Sequence, residues 1–148
     1  MDTVTARMSA HHKSCDDLFG EAEEAAAKAD WERAVPRMRA FVAEMERHFA
    51  MEENILFPEL EAAMGGPQGP TRIMRTEHAR MRGLLEILTQ AVEVKDAQAC
   101  LGTAETLLIL MQQHNLKEEQ ILYPMSDEAL APKVEALLHA MHGADAGR

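Results

Sequence analysis

HFAMEENILFP, from His48 to Pro58, returns in similar form as HNLKEEQILYP, from His114 to Pro124. Both stretches read His-x-x-x-Glu-Glu-x-Ile-Leu, followed by an aromatic residue and a proline. Residues four apart lie on one face of an α-helix, so the histidine and the first glutamate of each stretch project together. An imidazole with a carboxylate at this spacing suits a redox-active first-row ion such as iron or manganese. The duplicated pattern therefore predicts a metal site.

The repeat extends upstream at the same offset of 66 residues, which pairs His12 with His78, Met8 with Met74 and Asp30 with Asp96. The unit looks like a helical hairpin used twice, with one histidine on its first helix and His-x-x-x-Glu on its second. Four helices would then bring four histidines and two glutamates together. Burying so many polar groups without a compensating ion is costly. The number also suits two metal ions that share bridging carboxylates in a four-helix bundle.

These residues, spread over about positions 5–125, resemble the hemerythrin-like family, also called HHE cation-binding domains. The resemblance implies an all-α fold, an up-down antiparallel four-helix bundle around a non-haem di-iron centre. Members of the family bind oxygen reversibly, sense oxygen or iron, or help to repair iron centres. Carried over by position, the resemblance implies six metal ligands, which are His12, His48, Glu52, His78, His114 and Glu118.

The chain departs from the invertebrate oxygen carriers of this family in two ways. Those carriers have two histidines one turn apart on the third helix, whereas Met74 and Arg82 stand at that spacing from His78. They also use an aspartate five residues after the last histidine, whereas this chain has Glu118 four residues after His114. Both differences argue against reversible oxygen carriage, because a centre with fewer histidines has open positions or recruits another ligand.

Two carboxylates are candidates for an additional ligand or for a hydrogen-bonding partner of a ligand. Asp16 lies one turn after His12, but a salt bridge with Arg82, its counterpart in the repeat, is the favoured interpretation. Glu44 lies one turn before His48, and a surface carboxylate is the simpler expectation there.

Tyr123 is the third candidate, because it is the counterpart of Phe57 and only one repeat therefore offers a phenol. Tyr123 can donate a hydrogen bond near the site or serve only in packing. His11, which precedes a ligand, is expected to face solvent.

The chain has 148 residues and a net charge of −10, which predict a single domain and argue against a nucleic-acid or anionic-membrane surface. Its N-terminus lacks the apolar core of a signal peptide, and two cysteines do not form a disulfide framework. The expected location is the cytoplasm. The predicted domain, 1–148, comprises hairpin repeats at about 3–64 and 70–125 and a short fifth helix at about 132–142.

Helical periodicity, the Gly/Pro-rich segment 65–70 and cap residues predict the individual elements. We expect helices over about 3–28, 30–63, 70–94 and 97–123, a turn over 126–130 and a loose tail over 143–148. Pro58 and Pro124 should kink or end their helices beyond the metal layer, because proline cannot donate a backbone hydrogen bond.

Three function classes follow. The first is a di-iron protein that binds or senses oxygen, nitric oxide or iron. The second is a di-iron enzyme that handles peroxide, oxygen or nitric oxide, or that repairs iron centres. The third is a metal-stabilised interaction module that uses the fifth helix. The expected cofactor is two iron ions, with zinc or manganese as alternatives for the same ligands. The expected partner is a small diatomic molecule or peroxide, and the expected assembly is a monomer or homodimer.

Overall fold

A computed structural model describes residues 2–146 of the chain, with side chains up to Gly143. Helices and short connections account for this part of the chain, and it contains no β-strand. The α-helices are α1 (Val4–Ala27), α2 (Trp31–Met51), α3 (Phe57–Met64), α4 (Pro70–Glu93), α5 (Ala97–Lys117), α6 (Tyr123–Ala129) and α7 (Val134–Ala146). Glu52–Leu56 and Glu118–Leu122 are π-helical turns, and Ala131–Lys133 is a 3₁₀ turn.

Equivalent tight turns join α1 to α2 and α4 to α5. Ala29 and Lys95, which are counterparts in the repeat, both adopt the left-handed conformation, at φ values of 52° and 58°. This conformation ends a helix and reverses the chain within a few residues. Asp96 caps α5 by accepting a hydrogen bond from the Ala99 N–H. Asp30 holds the equivalent position but makes no side-chain cap bond.

The prolines leave their helices continuous, which differs from the expected kink or frayed end beyond the metal layer. Pro58 and Pro124 lie in the first turn of α3 and α6, where the missing N–H is tolerated. The irregularity falls just before them, in the two π-turns. The Phe57 N–H bonds the Glu52 carbonyl and the Tyr123 N–H bonds the Glu118 carbonyl, so each bond spans five residues. Both π-turns thus begin at a predicted ligand.

The apolar interior forms two clusters separated by a polar layer. One cluster includes Met45 and Phe49 with residues from α1, α4 and α5. The other includes Met8 and Leu56 with residues from the ends of the helices and from α7. The four predicted histidine ligands fall between these clusters along their helices. Packing contacts link α1 with α2, α2 with α4, α4 with α5, and α5 with α1. The helices therefore enclose the polar layer.

The C-terminal segment is more helical than expected. Helix α6 continues to Ala129, so the predicted turn over 126–130 is reduced to its end. Leu137, Leu138 and Met141 of α7 are buried in the second cluster. The predicted loose tail is helical as far as Ala146, and its last two residues lie outside the described ones. Within residues 2–146, every helix is too short or too polar to serve as a membrane-crossing segment.

Candidate metal centre

The six predicted ligands converge in the polar layer, and all six side chains are buried. Their donor atoms form two groups, and within each group the atoms lie within 4.8 Å of one another. The His78/His114 group comprises Glu52, His78, His114 and Glu118. The His12/His48 group comprises His12, His48 and Glu118. Two adjoining groups that share a carboxylate are what a pair of neighbouring cations needs.

The two glutamates lie between histidines of different helices. Glu118 Oε1 is 3.0 Å from His12 Nε2 and 3.2 Å from His114 Nε2. Glu52 Oε1 is 3.0 Å from His78 Nε2 and 3.6 Å from His48 Nε2. Each carboxylate therefore faces both groups, as a bridging ligand must.

Several buried donor atoms in this cluster lack a hydrogen bond. They are Glu52 Oε1, Glu118 Oε2, His78 Nε2 and His114 Nε2. An unsatisfied buried polar atom costs about 1–3 kcal/mol, so such atoms are rare unless another partner is intended. All four belong to predicted ligands, and both their chemistry and their positions fit a cation. The residues present therefore fit the metal that their pattern implies.

The metal-free centre holds protons that a cation would displace. Burial and the neighbouring Glu118 raise the pKa of Glu52 to about 8. Burial also opposes the charged form of Glu118, but contacts with Glu52, His114 and His12 outweigh it and hold its pKa well below the usual range. Burial lowers the pKa of His48 to about 3. The pKa of His114 rises to about 9, because its contacts with Glu118, Glu52 and Glu77 outweigh its burial.

Tyr123 lies against both glutamates instead of serving only in packing. Its hydroxyl is 2.6 Å from Glu52 Oε2 and 2.8 Å from Glu118 Oε1, and it donates toward these oxygens. Burial and the two carboxylates raise the pKa of Tyr123 well above its ordinary value, which keeps the phenol protonated. The π-turn makes the contact with Glu118 feasible. Residues five apart point about 140° apart on an α-helix, whereas the π-turn brings them nearly into line.

Three ligand histidines make a hydrogen bond to a carboxylate through the nitrogen that faces away from the centre. His12 Nδ1 bonds Glu119 at 2.7 Å, His78 Nδ1 bonds Glu53 at 2.7 Å, and His114 Nδ1 bonds Glu77 at 2.8 Å. Such bonds fix the imidazole ring and keep Nε2 free to bind a metal. We call the residues that contact the outward Nδ1 atoms of the ligand histidines the Nδ1 partners.

His11 is the fourth Nδ1 partner, and the expectation that it faces solvent is wrong. Its Nδ1 lies 2.7 Å from His48 Nδ1, and the two rings lie edge to edge in nearly one plane, with centroids 4.9 Å apart and an interplanar angle of 7°. Its other nitrogen lies 3.2 Å from Glu44 Oε2. Glu44 also accepts two hydrogen bonds from Arg47, at 2.9 and 2.8 Å. Glu44 is therefore outside the ligand groups and reaches His48 only through His11.

The predicted salt bridge between Asp16 and Arg82 is also wrong. Arg82 bonds Glu53 at 2.9 Å through each of two nitrogens, and it bonds Glu46 as well. Asp16 is exposed and belongs to neither ligand group. The repeat places Asp16 and Arg82 at equivalent positions of α1 and α4, and Arg82 bonds Glu46 of α2 and Glu53 of the π-turn that follows α2.

The sequence carried a signal for the Nδ1 partners that the motif alone did not reveal. At the repeat offset, Glu53 is the counterpart of Glu119, and His11 is the counterpart of Glu77. The first pair is the second glutamate of each Glu-Glu. The second pair directly precedes the histidine on the first helix of each hairpin. Polar residues kept at matching positions beside a ligand are the pattern that would have identified them.

Comparisons with known proteins complete this description. Neither curated proteins nor solved structures include a significant match to the chain. The family model of the Hemerythrin HHE cation binding domain matches residues 3–126, which include both repeats and all six predicted ligands. Because that match spans most of the chain, the protein belongs to the hemerythrin HHE cation-binding domain family.

Proposed function

We propose that the protein holds two iron ions and binds or senses oxygen, nitric oxide or iron through them. His12 and His48 would hold one ion, His78 and His114 the other, and Glu52 and Glu118 would bridge the pair. The four buried donor atoms without hydrogen bonds carry this proposal. The division into two ligand groups that share Glu118 supports the assignment of the histidines.

The proposal includes the up-down order of the four long helices and a single domain built from two hairpin repeats. Short turns between α1 and α2 and between α4 and α5 favour antiparallel neighbours. The ring of contacts among these four helices supports the same arrangement. We keep the cytoplasm as the proposed compartment.

Tyr123 is proposed as an additional ligand or hydrogen-bond donor beside His12 and His48, away from the position of the missing third-helix imidazole. Its hydroxyl oxygen lies 3.1 Å from His12 Nε2 and 3.4 Å from His48 Nε2. Neighbouring donor atoms around a small cation are separated by about 3 Å when each bond is about 2.1 Å. The phenol therefore lies where it can join the His12/His48 group or donate a hydrogen bond to a molecule bound there.

Iron, when bound, would supply the affinity for a diatomic molecule and the electrons to reduce it. The chain's own residues would keep the surroundings dry and rigid. Phe49 stacks on His78 with ring centroids 4.2 Å apart, and Leu56 and Leu122 are buried beside the π-turns. Ile121, the residue before Leu122 in the second π-turn, is exposed and takes no part in this wall.

A redox enzyme is the second candidate, because the protonated phenol of Tyr123 lies beside His12 and His48 and could supply a proton to a molecule held there. The interaction module receives less support. The apolar side chains Leu137, Leu138 and Met141 of α7 are buried against the rest of the protein, so they are not available to a partner. A monomer or homodimer remains our expectation.

Metal analysis and optical spectra of anaerobically purified protein, before and after air, test the proposal. We expect about two irons per chain and a new near-ultraviolet band in air. A persistent oxygenated species would support binding, and its rapid decay would support the enzyme. His78→Ala should lose iron, whereas His139→Ala, on the surface of α7, should keep it. Zinc alone, or no metal and no uptake of iron, would overturn the proposal.

A further inference from the structure

The Nδ1 partners occupy equivalent positions in the two repeats. Any difference between equivalent partners therefore distinguishes one half of the metal centre from the other. Glu53 of the first repeat bonds His78 of the second, and Glu119 of the second bonds His12 of the first. In the same way, the residue before each first-helix histidine bonds the second-helix histidine of its own hairpin. Glu77 does so for His114, and His11 does so for His48.

The first departure is His11, which stands where the other repeat has Glu77. If His48 Nε2 binds a cation, His48 must carry its proton on Nδ1 and donate it to His11 Nδ1. His11 then carries its own proton on Nε2 and donates it to Glu44. His48 is thus the one ligand histidine whose Nδ1 partner is an imidazole, with the carboxylate of Glu44 one residue further away.

The second departure concerns the cations that hold the Nδ1 partners in place. Arg82 bonds Glu53, and Lys117 bonds Glu77. Glu119 pairs with no lysine or arginine among the described residues, and the repeat has Asp16 where Arg82 would be needed. The side chain of Glu119 is 37% exposed, against 18% for Glu53. Its hold on the orientation of His12 is therefore looser.

The third departure is access from solvent. A cavity of about 160 Å³ opens between α1, α2 and α7, and His11 lines it together with Met8 and Met51. Met8 lies one turn before His12, and Met51 lies three residues after His48. His78, in contrast, has no exposed side-chain surface and is stacked against Phe49 and Phe57. A smaller cavity of about 120 Å³ borders Glu77 and Lys117 in the other repeat. The side chain of His12 is 5% exposed, whereas that of His78 is 0% exposed, so solvent reaches the His12/His48 group more readily.

We propose that the two metal positions are unequal, that the His12/His48 group releases its ion first, and that His11 and Glu44 control that release. The inference rests on the proposed di-metal function. His11 and Glu44 act as positioning residues, because they orient His48 and do not touch the ion. Glu52 Oε1 also lies farther from His48 Nε2, at 3.6 Å, than from His78 Nε2, at 3.0 Å, so its bridge is less closely placed on the side of the His12/His48 group.

The test follows metal loss from the full-length protein loaded anaerobically with cobalt(II), using native mass spectrometry after addition of EDTA. The wild type should pass through a one-cobalt species before it reaches the metal-free state. His11→Phe keeps a planar aromatic ring at this position but removes both nitrogens. We expect it to speed the first loss by about 10- to 100-fold, the usual effect of removing such a partner, and to leave the second loss unchanged.

Glu77→Gln is the matched control, since it changes the counterpart of His11. It should speed loss from the His78/His114 group only. His11→Gln, whose amide can accept from His48 and donate to Glu44, should restore most of the wild-type rate. The cobalt d–d spectrum should change for only one of the two ions in His11→Phe. A variant that only folded less well would not change the spectrum of a single ion or the rate of a single loss. Circular dichroism of each metal-free variant checks the fold.

Simultaneous loss of both ions from the wild type would overturn the inference and leave the di-metal proposal standing. The inference would fail in the same way if His11→Phe sped both losses equally or changed neither. Failure of the wild type to take up two cobalt ions would overturn the proposed function, and this inference with it.

Discussion

Phe57 and Tyr123 hold the same place in the two repeats, yet they make different contacts at the centre. Phe57 stacks on His78 with ring centroids 5.7 Å apart, whereas Tyr123 directs its hydroxyl to Glu52 and Glu118. Both residues follow a five-residue π-turn, so the backbone is alike and the difference is a single oxygen atom. A duplicated backbone can therefore carry two chemically different halves.

The residues that surround the ligand histidines also differ between the two repeats. The second repeat supplies Glu77, Arg82 and Lys117, where the first supplies His11, Asp16 and Met51. The inward histidines and glutamates are kept, and their surroundings are changed. The ligands are thus equivalent in the two repeats, whereas the residues that surround them differ. Mutations can either remove a ligand that both halves share or make the surrounding residues of the two repeats alike.

Removing the carboxylate common to both ligand groups should have the largest effect. Glu118 contacts His12, His48, His114 and Tyr123. We expect Glu118→Gln to abolish binding of both ions, because the amide cannot supply the negative charge that bridges them. Metal content by elemental analysis checks this. Glu105→Gln, an exposed change on α5, is the control, and two ions retained in Glu118→Gln would contradict the assignment.

Lowering the pH should weaken metal binding in steps set by the protons that the cation displaces. Glu52 and His114, with pKa values of about 8 and about 9, are protonated in the metal-free protein at pH 7. Each must lose its proton, so apparent affinity should fall about tenfold per pH unit for each proton below its pKa. His48, with a pKa of about 3, is already neutral and adds nothing above pH 4. Competition with a chromophoric chelator from pH 6 to 9 measures the slope, and a flat profile would contradict these protonation states.

Making the repeats alike at the aromatic position should have an intermediate effect. Tyr123→Phe removes the hydrogen bond to Glu52 Oε2, which is buried and would be left unsatisfied. We expect the metal-free protein to lose about 1–3 kcal/mol of unfolding free energy, as for other buried polar groups that lose a partner. Urea denaturation measures this. Wild-type stability together with an unchanged spectrum of the loaded protein would show that the phenol only packs.

Adding the missing cation to the first repeat should have the smallest effect. Asp16→Arg places a guanidinium where the second repeat has Arg82, within reach of Glu119 by analogy. An exposed ion pair contributes about 0.2–1 kcal/mol, so release of the first cobalt should slow by about two- to fivefold. Asp17→Arg carries the same change of charge on an exposed neighbouring position and should leave the rate unchanged. Equal slowing in both variants would mean that net charge, and not the pair, matters.

The sequence predicted the parts of the molecule that depend on one helix at a time. The bounds of α1, α4 and the start of α5 agree with the predicted helices to within about a residue. The repeat also identified all six histidines and glutamates that converge. It did so because each His-x-x-x-Glu lies on a single helical face.

Contacts between helices were harder to predict. His11 was expected to face solvent, and Asp16 was paired with Arg82, because a linear pattern does not say which neighbouring helix a flanking residue will meet. The π-turns were missed for a related reason. Proline marks a lost backbone bond, but whether a helix then ends, bends or widens depends on what packs around it.

The π-turns also bear on how the chain tolerates changes of length. Each residue advances an α-helix by about 100°, so inserting one residue between Glu118 and Tyr123 would rotate everything that follows by about that angle, and Tyr123 would face away from Glu118. Deleting one residue would instead leave Tyr123 four residues after Glu118, and an ordinary α-helical turn would keep both on one face. The loop between Met64 and Pro70 carries no such constraint, since Gly65, Gly66 and Gly69 have open space around them. Insertions and deletions should therefore accumulate in that loop, whereas each π-turn should tolerate the loss of one residue better than the gain of one.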